Sequence, residues 1–206
     1  MQMGDAFPQG FQYLPGYFSE KDQRELVGLL REFVAEAPLF TPVMPRTGKE
    51  FSVRMTNLGD LGWVSDLKGY RYQAQHPVSG RNWPAIPEVL INLWQKVGHC
   101  AAPPEACLVN YYAATAKMGM HQDRDEKTFD APVVSVSLGD AAIFKLGGVK
   151  RGGPTKSLRL QSGDVVVLGG DARLCYHGID RIQGGSSSLL KDGGRLNLTL
   201  RRVSPI

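Results

Sequence analysis

Residues 119–126 read GMHQDRDE, in which His121 and Asp123 stand two positions apart. On an extended segment, side chains at i and i+2 leave the same face, so one imidazole and one carboxylate can meet a single ion. His177, in CYHGI after a glycine-rich turn, is the other histidine of the C-terminal half; His76 and His99 lie before it. Two imidazoles and one carboxylate on one face of an iron leave the opposite positions open to substrate and oxygen, the arrangement of non-haem Fe(II) oxygenases. Zinc accepts the same ligands. Taken alone, an H-x-D is more often an exposed acidic turn, and a lone histidine a satisfied core residue.

The run RLNLTLR, residues 195–201, tips the balance toward iron. Strict alternation sets Arg195, Asn197, Thr199 and Arg201 on one face of a strand and Leu196, Leu198 and Leu200 on the other. The leucines can pack on a neighbouring layer, whereas the polar face needs a partner. Forked guanidiniums suit the two carboxylates of a small diacid better than lysines do. A solvent-facing edge strand would carry the same pattern. Together, H-x-D, a distant histidine and an arginine-rich strand spell Fe(II) with 2-oxoglutarate.

The elements that must position these residues change character along the chain. SEKDQRELVGLLREFVAEAP predicts an amphipathic helix capped by Ser19, with Leu26, Leu30, Phe33, Val34 and Ala37 at helical spacing and Pro38 as its stop. IPEVLINLWQKVGHCA predicts a second, with Pro87 at its first position and Leu90, Leu93, Trp94 and Val97 on one face. After Pro104 come short β-rich runs, ACLVNYY, VVSVSLG, AIFKLGG, SLRLQSG, DVVVLGG, LCYHGI and LNLTLRRV, with turn signals between them. Such spacing predicts an antiparallel sandwich or jelly roll rather than a parallel sheet. GGSSSLLKDGG, residues 184–194, reads as a long mobile loop.

Composition excludes other classes. The 206 residues, 42% hydrophobic and 21% charged, suit one globular domain with room for an N-terminal appendage. No apolar run approaches the roughly 18 to 20 residues that span a bilayer, and MQMGDAFPQG lacks the basic start and apolar stretch of a signal peptide. A cytoplasmic location, with no membrane association, is therefore expected. Three cysteines without a C-x-x-C pair indicate reduced thiols rather than disulfides or thiolate zinc. GVKRGGPTK departs from a phosphate loop at Pro154 and Thr155, and neither a dinucleotide fingerprint nor a nucleophile elbow is present. The net charge of +4 permits a polyanionic partner.

Trp63, Tyr70 and Tyr72 crowd one segment of the N-terminal half, where they would offer either stacking for an unstacked base or simple lid packing. Asp125, two after Asp123, would share its side and favour a cationic methylated base over a neutral one; a solvated acidic turn is the alternative. Lys127, Lys145, Lys150, Arg151, Lys156 and Arg159 could form a rim that tracks phosphates, or a solvated face.

Through MTNLGDLGWVSDLKGYRY, NWPAIPEVL, ACLVNYYAATAKMGMHQDRDE, APVVSVSLG, GDVVVLGG, YHGI and RLNLTLR, nearly the whole chain resembles the AlkB-type Fe(II)/2-oxoglutarate dioxygenases that repair alkylated nucleic acids. The resemblance implies a mainly β fold with flanking helices: a double-stranded β-helix (jelly roll) over 105–206, behind an N-terminal extension, 1–104, carrying helices and a nucleotide-recognition lid. It implies Fe(II) on His121, Asp123 and His177, which are then also the catalytic residues. Asn110, Tyr112, Arg195, Asn197 and Arg201 would line the 2-oxoglutarate pocket. Trp63 and Tyr70 would be base sandwich and lid, with Tyr72, Met118, Asp125 and Arg151 also near the substrate.

The implied reaction uses O2 to dealkylate bases such as 1-methyladenine and 3-methylcytosine, releasing formaldehyde, succinate and CO2. Single-stranded DNA is the favoured partner, RNA the second, and the enzyme a monomer. A hydroxylase acting on a protein or small molecule, or a non-catalytic jelly-roll binding module, would share much of this pattern. One departure is visible: the family often has Asn-Arg-Tyr where this chain reads NYY, and Tyr111 should point away from Asn110 and Tyr112.

Overall fold

Alternation in two strands sets the layers of the molecule, a computed structural model that describes residues 7–206. The reading of the first six residues as leaderless therefore lies outside the described residues. Along β7 (Val133–Gly139) and β12 (Arg195–Arg201), Val134, Val136, Leu138, Leu198 and Leu200 face one way and join an apolar core with the helices. Ser135, Ser137, Arg195, Asn197, Thr199 and Arg201 face the other way, into the space between two sheets.

The helices are α1 (Glu20–Glu36) and α2 (Glu88–Val97). Ser19 caps α1 as expected: its Oγ accepts from Asp22 N, and Asp22 Oδ2 accepts from Ser19 N at 3.1 Å. Such reciprocal caps are worth about 1 kcal/mol. Pro87 is the cap of α2 rather than its first helical residue, a one-position shift of the kind helix ends allow. Leu26 and Leu30 of α1, with Leu90, Leu93 and Trp94 of α2, cover the outer face of the larger sheet. Each such burial removes apolar surface from water at roughly 1.5–3 kcal/mol per side chain.

The larger sheet runs β1 (Phe11–Leu14), β10 (Val165–Leu168), β7, β12, β5 (Ala106–Tyr112), β2 (Val53–Gly59). The smaller runs β6 (Met118–His121), β11 (His177–Gln183), β8 (Ala141–Leu146), β9 (Lys156–Leu160). All neighbours in both are antiparallel. These facing sheets make the jelly roll that the strand spacing predicted. Residues before 105 also supply both edge strands of the larger sheet, β1 and β2, and a separate hairpin, β3 (Gly62–Asp66) with β4 (Gly69–Gln73). These four strands lie outside the β-rich runs that follow Pro104.

Register then does the positioning. β12 lies between β5 and β7 with Arg195 opposite Tyr112 and Asn197 opposite Asn110, so these four share one face. In the smaller sheet His177 is the partner of His121. Close approach there depends on Gly178, where a Cβ would stand 2.6 Å from the Met118 carbonyl oxygen.

Residues 184–194 differ from the mobile loop expected. Leu189 and Leu190 pack against the helical core, and Asp140 holds both ends, accepting from Ser187 N at 3.1 Å and Gly194 N at 2.9 Å. Leu198→Ala tests the layering. Its side chain is 0% exposed between sheet and helices, so the cavity should cost about 2–5 kcal/mol in urea unfolding. A loss under about 1 kcal/mol would show that β12 does not anchor the layers.

Candidate active site

His121 ends β6, Asp123 follows it in the loop, and His177 begins β11, so the cross-strand pair and the loop meet at one point. One ligand atom from each lies within 4.8 Å of the others. His121 Nε2 is 3.6 Å from Asp123 Oδ1, and His177 Nε2 is 3.7 Å from Asp123 Oδ2. The far nitrogens are committed: His121 Nδ1 lies 2.9 Å from the Gly119 carbonyl and His177 Nδ1 3.0 Å from that of Cys175. A carbonyl only accepts, so each Nδ1 carries a proton and each Nε2 is the ring atom turned toward Asp123. Burial, followed by the charge of His121, pulls the His177 pKa down to about 4, which keeps that ring neutral. Burial alone would raise the Asp123 carboxyl, but the Arg201 guanidinium beside it outweighs burial and holds it well below the usual range. An anion flanked by two imidazole Nε2 atoms fits a divalent transition metal.

Beside this point lies a second demand for a ligand. Arg195 is 1% exposed, and its Nε and Nη1 have no hydrogen-bond partner; nor does Asn110 Oδ1. Arg195 Nη2 donates to Ser137 Oγ at 2.9 Å, and the guanidinium lies 5.4 Å from the Tyr112 ring centre. Burial pushes the Tyr112 phenol up to about 12, so it supplies no counter-charge. A buried guanidinium without an anion is costly, and a carboxylate would satisfy it. Asn197 is fixed by donation to Ser135 Oγ at 2.7 Å and Val136 O at 3.1 Å. Thr199 Oγ1 donates back to Asn197 Oδ1 at 2.9 Å.

The two arginines of β12 are therefore unequal. Arg201 already has anions: Nη2 is 2.8 Å from Asp123 Oδ1, and Nε is 3.4 Å from Glu126 Oε1. Glu126 in turn pairs with Arg173 Nη2 at 3.2 Å, and Arg173 also donates to the Asp123 and Ala131 carbonyls at 2.7 and 2.9 Å. The segment between His121 and β7 is thus clamped from below.

A cavity of about 400 Å³ opens over these groups. It brings together the three ligand candidates, Asn110, Tyr112, Arg195, Asn197 and Arg201, and, of the expected substrate residues, Trp63, Tyr70, Met118 and Asp125. Trp63 stacks on Tyr70 with ring centres 5.5 Å apart, and its Nε1 donates to Asp125 Oδ2 at 2.7 Å.

Two expected substrate residues lie off the lining. Tyr72 donates its hydroxyl to Glu126 Oε1 at 2.6 Å instead, and burial raises its phenol well above the ordinary value, so it acts as a donor. Arg151 sits on an exposed loop 6.0 Å from the Tyr176 ring. None of the other basic residues expected to form a rim lines the cavity; Lys145 pairs with Asp180 at 3.0 Å. Tyr111 does point away from Asn110 and Tyr112, with Arg54 5.2 Å from its ring centre.

Sequence reading missed Ser135, Ser137, Glu126 and Arg173. The serines were legible as the polar positions of VVSVSLG, whereas the Glu126–Arg173 pair spans distant segments and left no local signal.

The description "2OG-Fe(II) oxygenase superfamily" belongs to a family whose model matches residues 10–201. An alpha-ketoglutarate-dependent dioxygenase AlkB homolog of Caulobacter vibrioides is 53% identical over 94% of this chain and 88% of its own. A protein of Arabidopsis thaliana named DNA N(6)-methyladenine demethylase ALKBH1C is 31% identical over 97% of this chain and 50% of its own. The solved structure of OsALKBH1 superposes with a TM-score of 0.78 at 31% identity, covering 96% of this chain and 100% of that one. Sequence, fold and the His-Asp-His cluster agree: the chain belongs to the 2OG-Fe(II) oxygenase superfamily and is an AlkB-type dioxygenase, whose family uses iron, 2-oxoglutarate and O2.

Proposed function

We propose that this dioxygenase removes alkyl groups from the ring nitrogens of nucleobases, single-stranded DNA being the first substrate and RNA the second. The observation that carries the reading is the stacking of three demands in one cavity. A metal-ready cluster and an anion-starved Arg195 lie within it, and an aromatic and acidic wall of Trp63, Tyr70 and Asp125 lines it. A base can enter such a space only out of its helical stack, which single strands permit at least cost. The relative named as a DNA N(6)-methyladenine demethylase, which acts at an exocyclic nitrogen, supports N-dealkylation of nucleobases in general.

In this reading His121, Asp123 and His177 hold the iron, and Arg195 with Asn110, Tyr112, Asn197 and Arg201 holds 2-oxoglutarate. When bound, the iron with cosubstrate and O2 supplies the oxidising power, and 2-oxoglutarate leaves as succinate and CO2. The protein supplies position. Trp63 and Tyr70 present aromatic faces to the base, and stacking of this kind is worth about 1–3 kcal/mol. Met118 fills apolar space beside His121, and Asp125 places a negative charge where a ring methylated at a pairing nitrogen is positive. Hydroxylation of the methyl carbon leaves an N-hydroxymethyl base, which breaks its C–N bond to give formaldehyde and the original base.

Incubation with Fe(II), 2-oxoglutarate, ascorbate and a 1-methyladenine oligonucleotide should restore adenine and release one formaldehyde per methyl group. Turnover of the cosubstrate with every methylated oligonucleotide left unchanged would point instead to a protein or small-molecule hydroxylase. His121→Ala and Asp123→Ala should each abolish turnover with the circular dichroism of the folded protein retained; wild-type rates in either would refute the ligand set.

Arg195→Ala should raise the KM for 2-oxoglutarate about 10- to 100-fold, the scale of a hydrogen-bonded charge of about 1.5–3 kcal/mol. An unchanged KM would place the cosubstrate elsewhere. For Asp125→Ala, the preference for cationic 1-methyladenine over neutral 3-methylthymine should fall in competition assays; a preference kept intact would remove charge from the explanation.

A further inference from the structure

The hairpin that carries Trp63 and Tyr70 is tied to the centre of the site by two hydrogen bonds that end on neighbouring acids. Trp63 Nε1 donates to Asp125 and Tyr72 Oη donates to Glu126, at 2.7 and 2.6 Å. Trp63 and Tyr72 are cross-strand partners in β3 and β4, so one rigid pair bears both ties. Tyr72 does not line the cavity, which leaves its buried hydroxyl without a direct part in binding the base. Glu126 shares Arg201 with Asp123, and Arg173 holds Glu126 and the Asp123 carbonyl in place. A continuous polar chain thus runs from hairpin to metal-ligand candidate: Tyr72, Glu126, Arg201, Asp123.

We propose that Tyr72 and Glu126 are positioning residues that couple capture of the base by the hairpin to occupancy of the cosubstrate pocket by way of Arg201. The inference rests on the reading of the cavity given above and adds to it a link between its two halves. Its sign follows from charge. When Arg201 turns from Glu126 toward a bound carboxylate, Glu126 loses part of its cation and becomes a stronger acceptor for the Tyr72 hydroxyl. The hairpin is then held closer over the cavity. Each ligand therefore tightens the other, by equal factors in the two directions.

The test measures binding without turnover, on the Mn(II)-loaded protein, with N-oxalylglycine as an inert analogue of 2-oxoglutarate and a 1-methyladenine oligonucleotide as the second ligand. In the wild type, saturating analogue should tighten oligonucleotide binding by at least about fivefold, the lower end of ordinary coupling between sites. Tyr72→Phe, which removes one oxygen, should bring that ratio to about one. Glu126→Gln, which keeps one acceptor oxygen and removes the charge, should do the same and serves if Tyr72→Phe does not fold.

A purely structural role predicts a lower melting temperature with the ratio unaltered, and that result overturns the proposal. So does a wild-type ratio of one. A wild-type protein that binds the analogue but no methylated oligonucleotide overturns the reading of the cavity itself, and the link with it.

Discussion

A guanidinium enclosed in protein must find an anion, and β12 encloses two. This constraint organises the interior. Arg201 is satisfied by Asp123 and Glu126, and in being satisfied it keeps Asp123 ionised between two histidines. Arg195 is left with two unpartnered nitrogens, so the pocket is built around a charge that only a ligand can answer. Such a site is costly while empty and specific when filled, because a neutral or wrongly shaped molecule cannot repair the deficit.

The fold exists around that strand. One face of β12 is leucine and anchors the sheet to α1 and α2; the other is polar and lines the cavity between the sheets. Pairing with β5 and β7 fixes which neighbours join it, adding Asn110 and Tyr112 on one side and Ser135 and Ser137 on the other. The opposing sheet contributes the histidines through the β6–β11 register. Metal cluster and anion pocket thus come from different sheets and meet because the sheets face one another. The aromatics proposed to face the base come from a third, two-stranded unit and are attached by hydrogen bonds rather than by sheet continuity.

Much of this was legible from period-two patterning. RLNLTLR places its chemistry on one face of a strand, while in H-x-D the strand ends at His121 and Asp123 follows in the loop; both sets point into the cavity. Trp63, Tyr70 and Tyr72 show where such reading runs out. All three lie in one hairpin, yet the structure sends Tyr72 to a buried acid rather than to the cavity, a destination set by tertiary contact with Glu126. Residues 184–194 form the long loop that glycine and serine promised, but Leu189, Leu190 and the distant Asp140 anchor it through contacts that leave no local signal. The edge strands β1 and β2 were hidden because their partners lie far along the chain, and β1 is only four residues long.

The central claim is that one metal and one diacid are held side by side by residues of two facing sheets. An anaerobic crystal structure with Fe(II) and 2-oxoglutarate addresses it directly. A single iron is expected on His121 Nε2, Asp123 and His177 Nε2, with a carboxylate of the diacid on the unpartnered nitrogens of Arg195. Iron bound elsewhere, or a diacid that leaves Arg195 without an anion, would contradict it.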